Sequence, residues 1–323
     1  MELYPLKFEP IFHYRIWGGN KLRSILNKNA SLNNVGESWE ISGVEGNVSI
    51  VKNGNLKGLS LKDLLQSFKH ELVGKKVYDK FGSDFPILIK FIDAQSPLSI
   101  QVHPNDELAR RYHNSFGKNE MWYVMQAEEN SKLLIGFNKR TCKEEYLHHL
   151  TNDSLTEIIN SEMVIEGDVF NIPTGRVHAI GAGVLLAEIQ QTSDVTYRIY
   201  DYNRIDNFTG KKRELHNNLA IKAIDFEFKT SYKENYINEK NSSVELVKTP
   251  HFITNKLVLN KDIVKDYSNF DSFVIYICVK GNLKIHHKNK DYNLYEGETL
   301  LIPAYIKRLS LKSENAELLE VYL

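Results

Sequence analysis

The sequence predicts a mainly β protein built as two related β-barrels with a small helical insertion. Three observations lead there. Short apolar runs broken by Gly, Asn and Pro recur along most of the chain, the signature of a sandwich or barrel. Helical spacing of apolar residues is confined to about 60–80 and 141–160. A twelve-residue pattern occurs twice, GDVFNIPTGRVH at 167–178 and GETLLIPAYIKR at 297–308.

Taken in order, residues 1–54 hold short strands and turns, as in RIWGGNKL and GESWEISGVEGNVSIV. Residues 60–80 carry Leu61, Leu64, Leu65, Phe68 and Leu72 at helical spacing, with Ser60 placed as an N-cap. Strand character returns over 86–104, PILIKFIDAQSPLSIQVHP, before the second helical passage from Thr141 to Asn160. From Val164 strands follow at short intervals: MVIEGDVFNIP, GVLLAEIQQ, VTYRIYDY. Residues 226–245 are polar and read as a linker or long loop, after which strands run to the C-terminus. The expected division is a catalytic unit over 1–240 and a smaller barrel over 241–323. In each copy of the repeat an acid after Gly suits a tight turn, the apolar run a strand, and Pro ends it. Arg308 stands where the first copy has His178, and Tyr305 where it has Gly175. A metal held by the first copy would have no place in the second.

Composition narrows the function classes. The 323 residues allow one large domain or two smaller ones. Lys+Arg and Asp+Glu balance at 41 each, so no global field argues for nucleic acid or an anionic membrane. Two cysteines, Cys142 and Cys278, exclude a disulfide framework. The N-terminus lacks the apolar core of a secretory signal, and no apolar run reaches the roughly 20 residues a membrane span needs. The expectation is a soluble cytoplasmic protein, monomeric or homodimeric, without nucleic-acid or membrane partners.

The chemistry gathers around SIQVHPND, 99–106. Strand alternation puts Ser99, Gln101 and His103 on one face and Ile100 and Val102 on the other. Glu120 in GKNEMWYVM and His178 in PTGRVHAIGAG lie downstream. Two imidazoles, a carboxylate and an amide oxygen can surround a divalent metal. One anionic ligand leaves Zn²⁺ at net +1, still a strong Lewis acid. A lone strand histidine is more often structural than ligating; His103 stands out through its Gln-x-His pairing and His178 through its patterned motif. His148–His149 and His286–His287 lack such context and read as solvated or structural. Trp17 and Trp39 read as core or pocket wall.

GDVFNIPTGRVH resembles the Gly-x5-Pro-x-Gly-x2-His motif of the cupin superfamily. SIQVHPND, GKNEMWY and HAIGAGVLLAEIQQTSDVTYRIYDY, with WGGNKL and GESWEIS, together resemble the type I mannose-6-phosphate isomerases in their short bacterial form. The resemblance runs from Trp17 to about Arg204; the C-terminal third resembles only a degenerate cupin barrel. It implies two cupin-type (jelly-roll) barrels and a zinc-dependent aldose–ketose isomerase interconverting mannose 6-phosphate and fructose 6-phosphate through an enediol. Carried over motif by motif, one Zn²⁺ per chain is held by Gln101, His103, Glu120 and His178. Lys90, Ser99 and Lys118 surround the sugar phosphate, and Arg198 is the catalytic cation. A zinc-bound water, Glu188, Asp194 and a further His are the candidate proton carriers; one residue more than in longer relatives separates Glu188 from His178. Two alternatives carry different expectations: a sugar-phosphate-binding cupin without turnover, and a non-haem iron oxygenase using two His and a carboxylate. Gln101 as a fourth ligand argues against the oxygenase, which needs open positions.

Overall fold

The computed structural model describes residues 2–31, 33–206 and 209–323. The molecule is mainly β, as expected. Its first barrel is formed by two facing sheets. One has seven strands in the order Ile11–Gly19, Val35–Ile41, Ile87–Ala94, Val184–Gln191, Glu120–Ala127, Val169–Ile172 and Lys233–Glu234. The other has five: Tyr197–Tyr200, Ile100–Val102, His178–Ile180, Lys132–Phe137 and Ile159–Met163. An eight-stranded sheet builds the second barrel, and its long strand Val274–His287 pairs with four others.

The helical insertion is real but more broken than its periodicity suggests. Helix Leu61–Phe68 starts where expected: Ser60 and Asp63 form a reciprocal capping box. Lys69 then takes φ +47° and Gly74 φ +94°. The stretch therefore divides into Leu61–Phe68, His70–Val73 and Lys75–Phe81. The second passage is helical only over Lys143–Thr151; a short 3₁₀ turn follows and a strand begins at Ile159. Helices Lys21–Ser24, Asp106–His113 and Asn217–Ala223 lie on stretches not read as helical from the sequence.

The polar stretch 226–245 is not a free linker. Tyr232 is buried and donates to the Phe137 carbonyl at 3.1 Å, Lys233–Glu234 joins the seven-stranded sheet, and Tyr236 donates to the Gly167 carbonyl at 2.8 Å. Its one buried residue, Tyr232, stands among charges, which composition alone does not separate from a loop. The largest apolar cluster runs from Leu3 and Leu6 through Leu61–Val77 and Phe91 to Phe273, Leu301 and Val321, so it is shared by both barrels and the helices between them. Residue Leu6 exchanges two backbone hydrogen bonds with Leu301, at 2.8 and 2.9 Å. Cys142 and Cys278 are both free. Among the described residues no helix is long and apolar enough to cross a membrane.

The repeat is a structural repeat. Gly167 and Gly297 have φ +92° and +78°, values that favour glycine. The acid after each closes the same turn: Asp168 accepts from Ile165 N–H at 2.9 Å, Glu298 from Tyr295 N–H at 3.0 Å. Strands Val169–Ile172 and Thr299–Ile302 follow, and the carbonyls of Pro173 and Pro303 accept from Arg176 and Ile306. Strand register extends the correspondence. Glu120 lies opposite Ile172 as Val274 lies opposite Ile302. Glu188 lies opposite Trp122 as Glu320 lies opposite Tyr276.

Candidate active site

Both sheets of the first barrel send polar side chains inward. Gln101 pairs directly with His178 across the five-stranded sheet, and His103 follows just past the end of its strand. The loop PTG holds this corner: Gly175 N–H donates to the His103 carbonyl at 2.9 Å, which ties the two histidine segments together. Gly175 has φ +88°, and a Cβ there would stand 2.9 Å from the Ala223 carbonyl oxygen. That accounts for glycine in the motif. Glu120 comes from the facing sheet.

His103, Glu120 and His178 converge in the barrel interior, with candidate ligand atoms within 4.8 Å of one another. The two Nε2 atoms lie 3.1 Å apart, and each is 3.4 Å from an oxygen of Glu120. All three side chains are essentially inaccessible. His178 Nδ1 is 2.8 Å from the Arg176 carbonyl. A carbonyl only accepts, so the proton sits on Nδ1 and the Nε2 lone pair points into the cluster. Burial pushes the His103 imidazole down to about 3, with Lys118 adding to the effect; burial also lowers His178. Both rings are thus neutral near pH 7. Burial disfavours the charged form of Glu120, but Lys118 and His103 outweigh it and hold the carboxyl well below its usual range. Both Glu120 oxygens nevertheless lack a hydrogen-bond donor. A buried, ionised carboxylate without a hydrogen-bond donor is costly; Lys118, 3.3 Å away, supplies one positive charge, and a divalent cation between the carboxylate and the imidazoles would supply more. The donor set of two nitrogens and a carboxylate fits a divalent metal.

Gln101 lines the adjoining cavity of about 350 Å³, together with Ser99, Lys118, Lys90, Glu188 and Arg198. Every site residue expected from the sequence is therefore at the cluster or on the cavity wall. Lys118 stands at the cluster, 3.3 Å from Glu120 and 3.2 Å from His103 Nε2. Lys90 donates to Glu188 at 3.0 Å and sits 5.0 Å from the Trp39 ring centroid. The second oxygen of Glu188 accepts from Trp122 Nε1 at 2.9 Å. Burial raises the Glu188 carboxyl above its usual value, and the nearby Glu120 charge adds to this. Trp17 and Trp39 are pocket wall. On the outer side, Arg198 Nη1 donates to the Glu214 carbonyl at 2.8 Å.

Sequence reasoning passed over several cavity residues. Glu37 is buried and accepts from Arg15 Nε and Nη2 at 2.9 and 3.0 Å and from Trp39 Nε1 at 2.7 Å. Burial alone would raise its carboxyl, but Lys90 and Arg15 hold it at about 2. The alternation of Glu37, Trp39 and Ile41 in GESWEIS was a usable signal, as was that of Glu120 and Trp122. Arg213, in KKRELH, offered none.

Two family models match the chain. One, described as phosphomannose isomerase type I, catalytic domain, covers residues 6–137. The other, described as mannose-6-phosphate isomerase, cupin domain, covers residues 242–323. The chain is 40% identical over 226 residues to the mannose-6-phosphate isomerase ManA of Bacillus subtilis, spanning 70% of this chain and 69% of that protein. It is 32% identical over 304 residues to the mannose-6-phosphate isomerase of Streptococcus mutans, spanning 94% and 93%. The crystal structure of the mannose 6-phosphate isomerase from Bacillus subtilis superposes with a TM-score of 0.90 at 29% identity, covering 99% of this chain and 100% of that one.

Proposed function

The chain belongs to the type I phosphomannose isomerases, and on that premise we propose that it is a zinc-dependent isomerase of mannose 6-phosphate and fructose 6-phosphate working through an enediol. The observation that carries the zinc reading is the buried cluster of His103, Glu120 and His178, whose carboxylate oxygens have no hydrogen-bond donor, opening on a polar cavity. We assign Gln101 as the fourth ligand, one ion per chain, and place the chemistry in residues 1–240 with a metal-free barrel over 241–323.

Zinc bound there supplies a Lewis acid for the oxygens at C1 and C2 of the sugar. The chain's own groups do the rest. Glu188 carries the proton between C2 and C1; its raised pKa suits a group that must both take and return it. Lys90 and Trp122 fix both its oxygens, which keeps the carboxylate from rotating away from the substrate. Arg198 is the catalytic cation, acting on the substrate through its phosphate or through the enediolate charge. Ser99, Lys90 and Lys118 bind the substrate from the cavity wall. The buried walls formed by Trp17 and Trp39 exclude water from the enediol. We place the enzyme in the cytoplasm, as a monomer or homodimer.

The deciding experiment is a coupled assay for fructose 6-phosphate formed from mannose 6-phosphate, with metal analysis of the same preparation. Turnover that a chelator abolishes and zinc restores is the expected result. Zinc-replete protein without turnover would instead mark a binding module, and iron with no zinc would overturn the metal assignment.

A further inference from the structure

Two arginines, Arg198 and Arg213, line the cavity along the five-stranded sheet beyond the strands of His178 and Gln101. Across the five-stranded sheet, the strand of His178 neighbours that of Gln101, which neighbours that of Arg198. The segment 213–216 lies beyond it. His216 N–H donates to the Arg198 carbonyl at 2.7 Å, and Arg198 N–H donates to His216 Nδ1 at 3.1 Å. With adjacent strands about 4.8 Å apart, this segment stands three spacings, roughly 14 Å, from the strand of His178.

Arg213 lines the cavity from that segment. Its Nε and Nη2 donate to the two oxygens of Asp201 at 2.8 and 2.6 Å. This fork fixes the guanidinium plane and leaves Nη1 for a ligand. Arg204 donates to the same carboxylate and to the Pro97 carbonyl, so one carboxylate serves two guanidiniums. Arg198 makes no ion pair among the described residues, and its Nε is buried without a hydrogen-bond partner. The other cations of the cavity are matched one to one: Arg15 with Glu37, Lys90 with Glu188, Lys118 with Glu120. Asp194 and Asp206 also line the cavity. Unspent N–H donors and shared counter-charge therefore collect at the Arg198–Arg213 wall.

We infer that Arg213, held in place by Asp201, grips the phosphate of the substrate together with Arg198 and so sets the preference for phosphorylated over free sugar. The inference rests on the sugar-phosphate reading above. A hexose 6-phosphate whose C1–C2 end lies at His103, Glu120 and His178 carries its dianion at the other end of the carbon chain, towards this wall. A planar fork can take two phosphate oxygens where an ammonium takes them as a point charge. Asp201 is a positioning residue, because it touches Arg213 and not the substrate.

Calorimetry on the zinc-loaded protein tests this with mannitol 6-phosphate, which has the substrate's phosphate but no carbonyl to react, and with mannitol as the uncharged control. Arg213→Ala is expected to weaken mannitol 6-phosphate binding about 10- to 100-fold and to raise KM for mannose 6-phosphate far more than it lowers kcat. Zinc content should stay as in the wild type. Arg213→Lys should recover part of the affinity, and Asp201→Asn should lose part of it. An Arg213→Ala affinity within about twofold of the wild type overturns the assignment. If the Ala variant melts early, Arg213→Lys decides: an unchanged KM overturns it. A wild type that neither binds mannitol 6-phosphate nor isomerises mannose 6-phosphate overturns the sugar-phosphate reading itself, a separate result.

Discussion

A hydrogen bond at one imidazole nitrogen fixes the tautomer and frees the other nitrogen for a metal, and His178 has that bond through the Arg176 carbonyl. Replacing it removes a ligand and leaves Glu120 still more exposed to uncompensated burial. His178→Ala should therefore lose metal and activity together; a metal-loaded, active variant by elemental analysis and the coupled assay would contradict the ligand assignment. A second residue-scale prediction concerns acid. Glu37 titrates at about 2 in the folded chain against a usual 4.5. A depressed carboxylate stabilises above its unfolded pKa, and that stability disappears as pH falls through the folded value. About 3 kcal/mol should thus be lost between roughly pH 4.5 and 2. Urea titrations across that range should show Glu37→Gln with a flatter decline than the wild type. The ligand residues could be read in the sequence because period-two alternation and a patterned motif expose them. Glu37 and Trp122 follow the same alternation but carry no motif of their own, and Arg213 depends on a contact with Asp201 that no local pattern encodes.

The short helices between the barrels show where periodicity misleads at the next scale. Leucines at helical spacing over 61–72 predicted one helix, and their buried faces confirm the pattern. The chain breaks it because the turn His70–Val73 must dock on the second barrel. There the Leu72 carbonyl accepts from Ala304 N–H at 2.9 Å, and the Val73 carbonyl accepts from Phe273 N–H at 3.2 Å. Those partners are 200 residues or more away in sequence, so local spacing carries no trace of them. Gly74 makes the break possible. It adopts φ +94°, and a Cβ would lie 2.3 Å from the Asp271 carbonyl oxygen. Gly74→Ala should cost about 1–3 kcal/mol through backbone strain alone, with the backbone clash adding to it. Thermal melts should show the loss, while zinc content of the folded fraction stays unchanged. An Ala variant as stable as the wild type would mean the docking is loose.

For the molecule as a whole, the repeat read from twelve residues extends to strand register, which the sequence could not supply because Glu120, Glu188 and their counterparts share no local motif. In the second barrel Val274 takes the place of Glu120, and Arg308 that of His178. Arg308 pairs with Asp266 at the exposed end of its strand. Arg308→Ala should therefore leave zinc content and turnover as they are; loss of metal would mean the site has been put in the wrong barrel. The counterpart of Glu188 is retained in a different role. Glu320 is buried and accepts from Lys265, Ser243 and Asn255 at 2.7, 2.6 and 3.1 Å, and it also bonds Tyr267, which in turn bonds Tyr276. The two phenol rings belong to the apolar core of the second barrel. Grafting a His/Glu ligand set onto this half would yield, at best, an ion sealed behind aromatic packing, with no room for a sugar beside it. Making room for one would mean hollowing out an apolar core that this barrel now uses for its own packing.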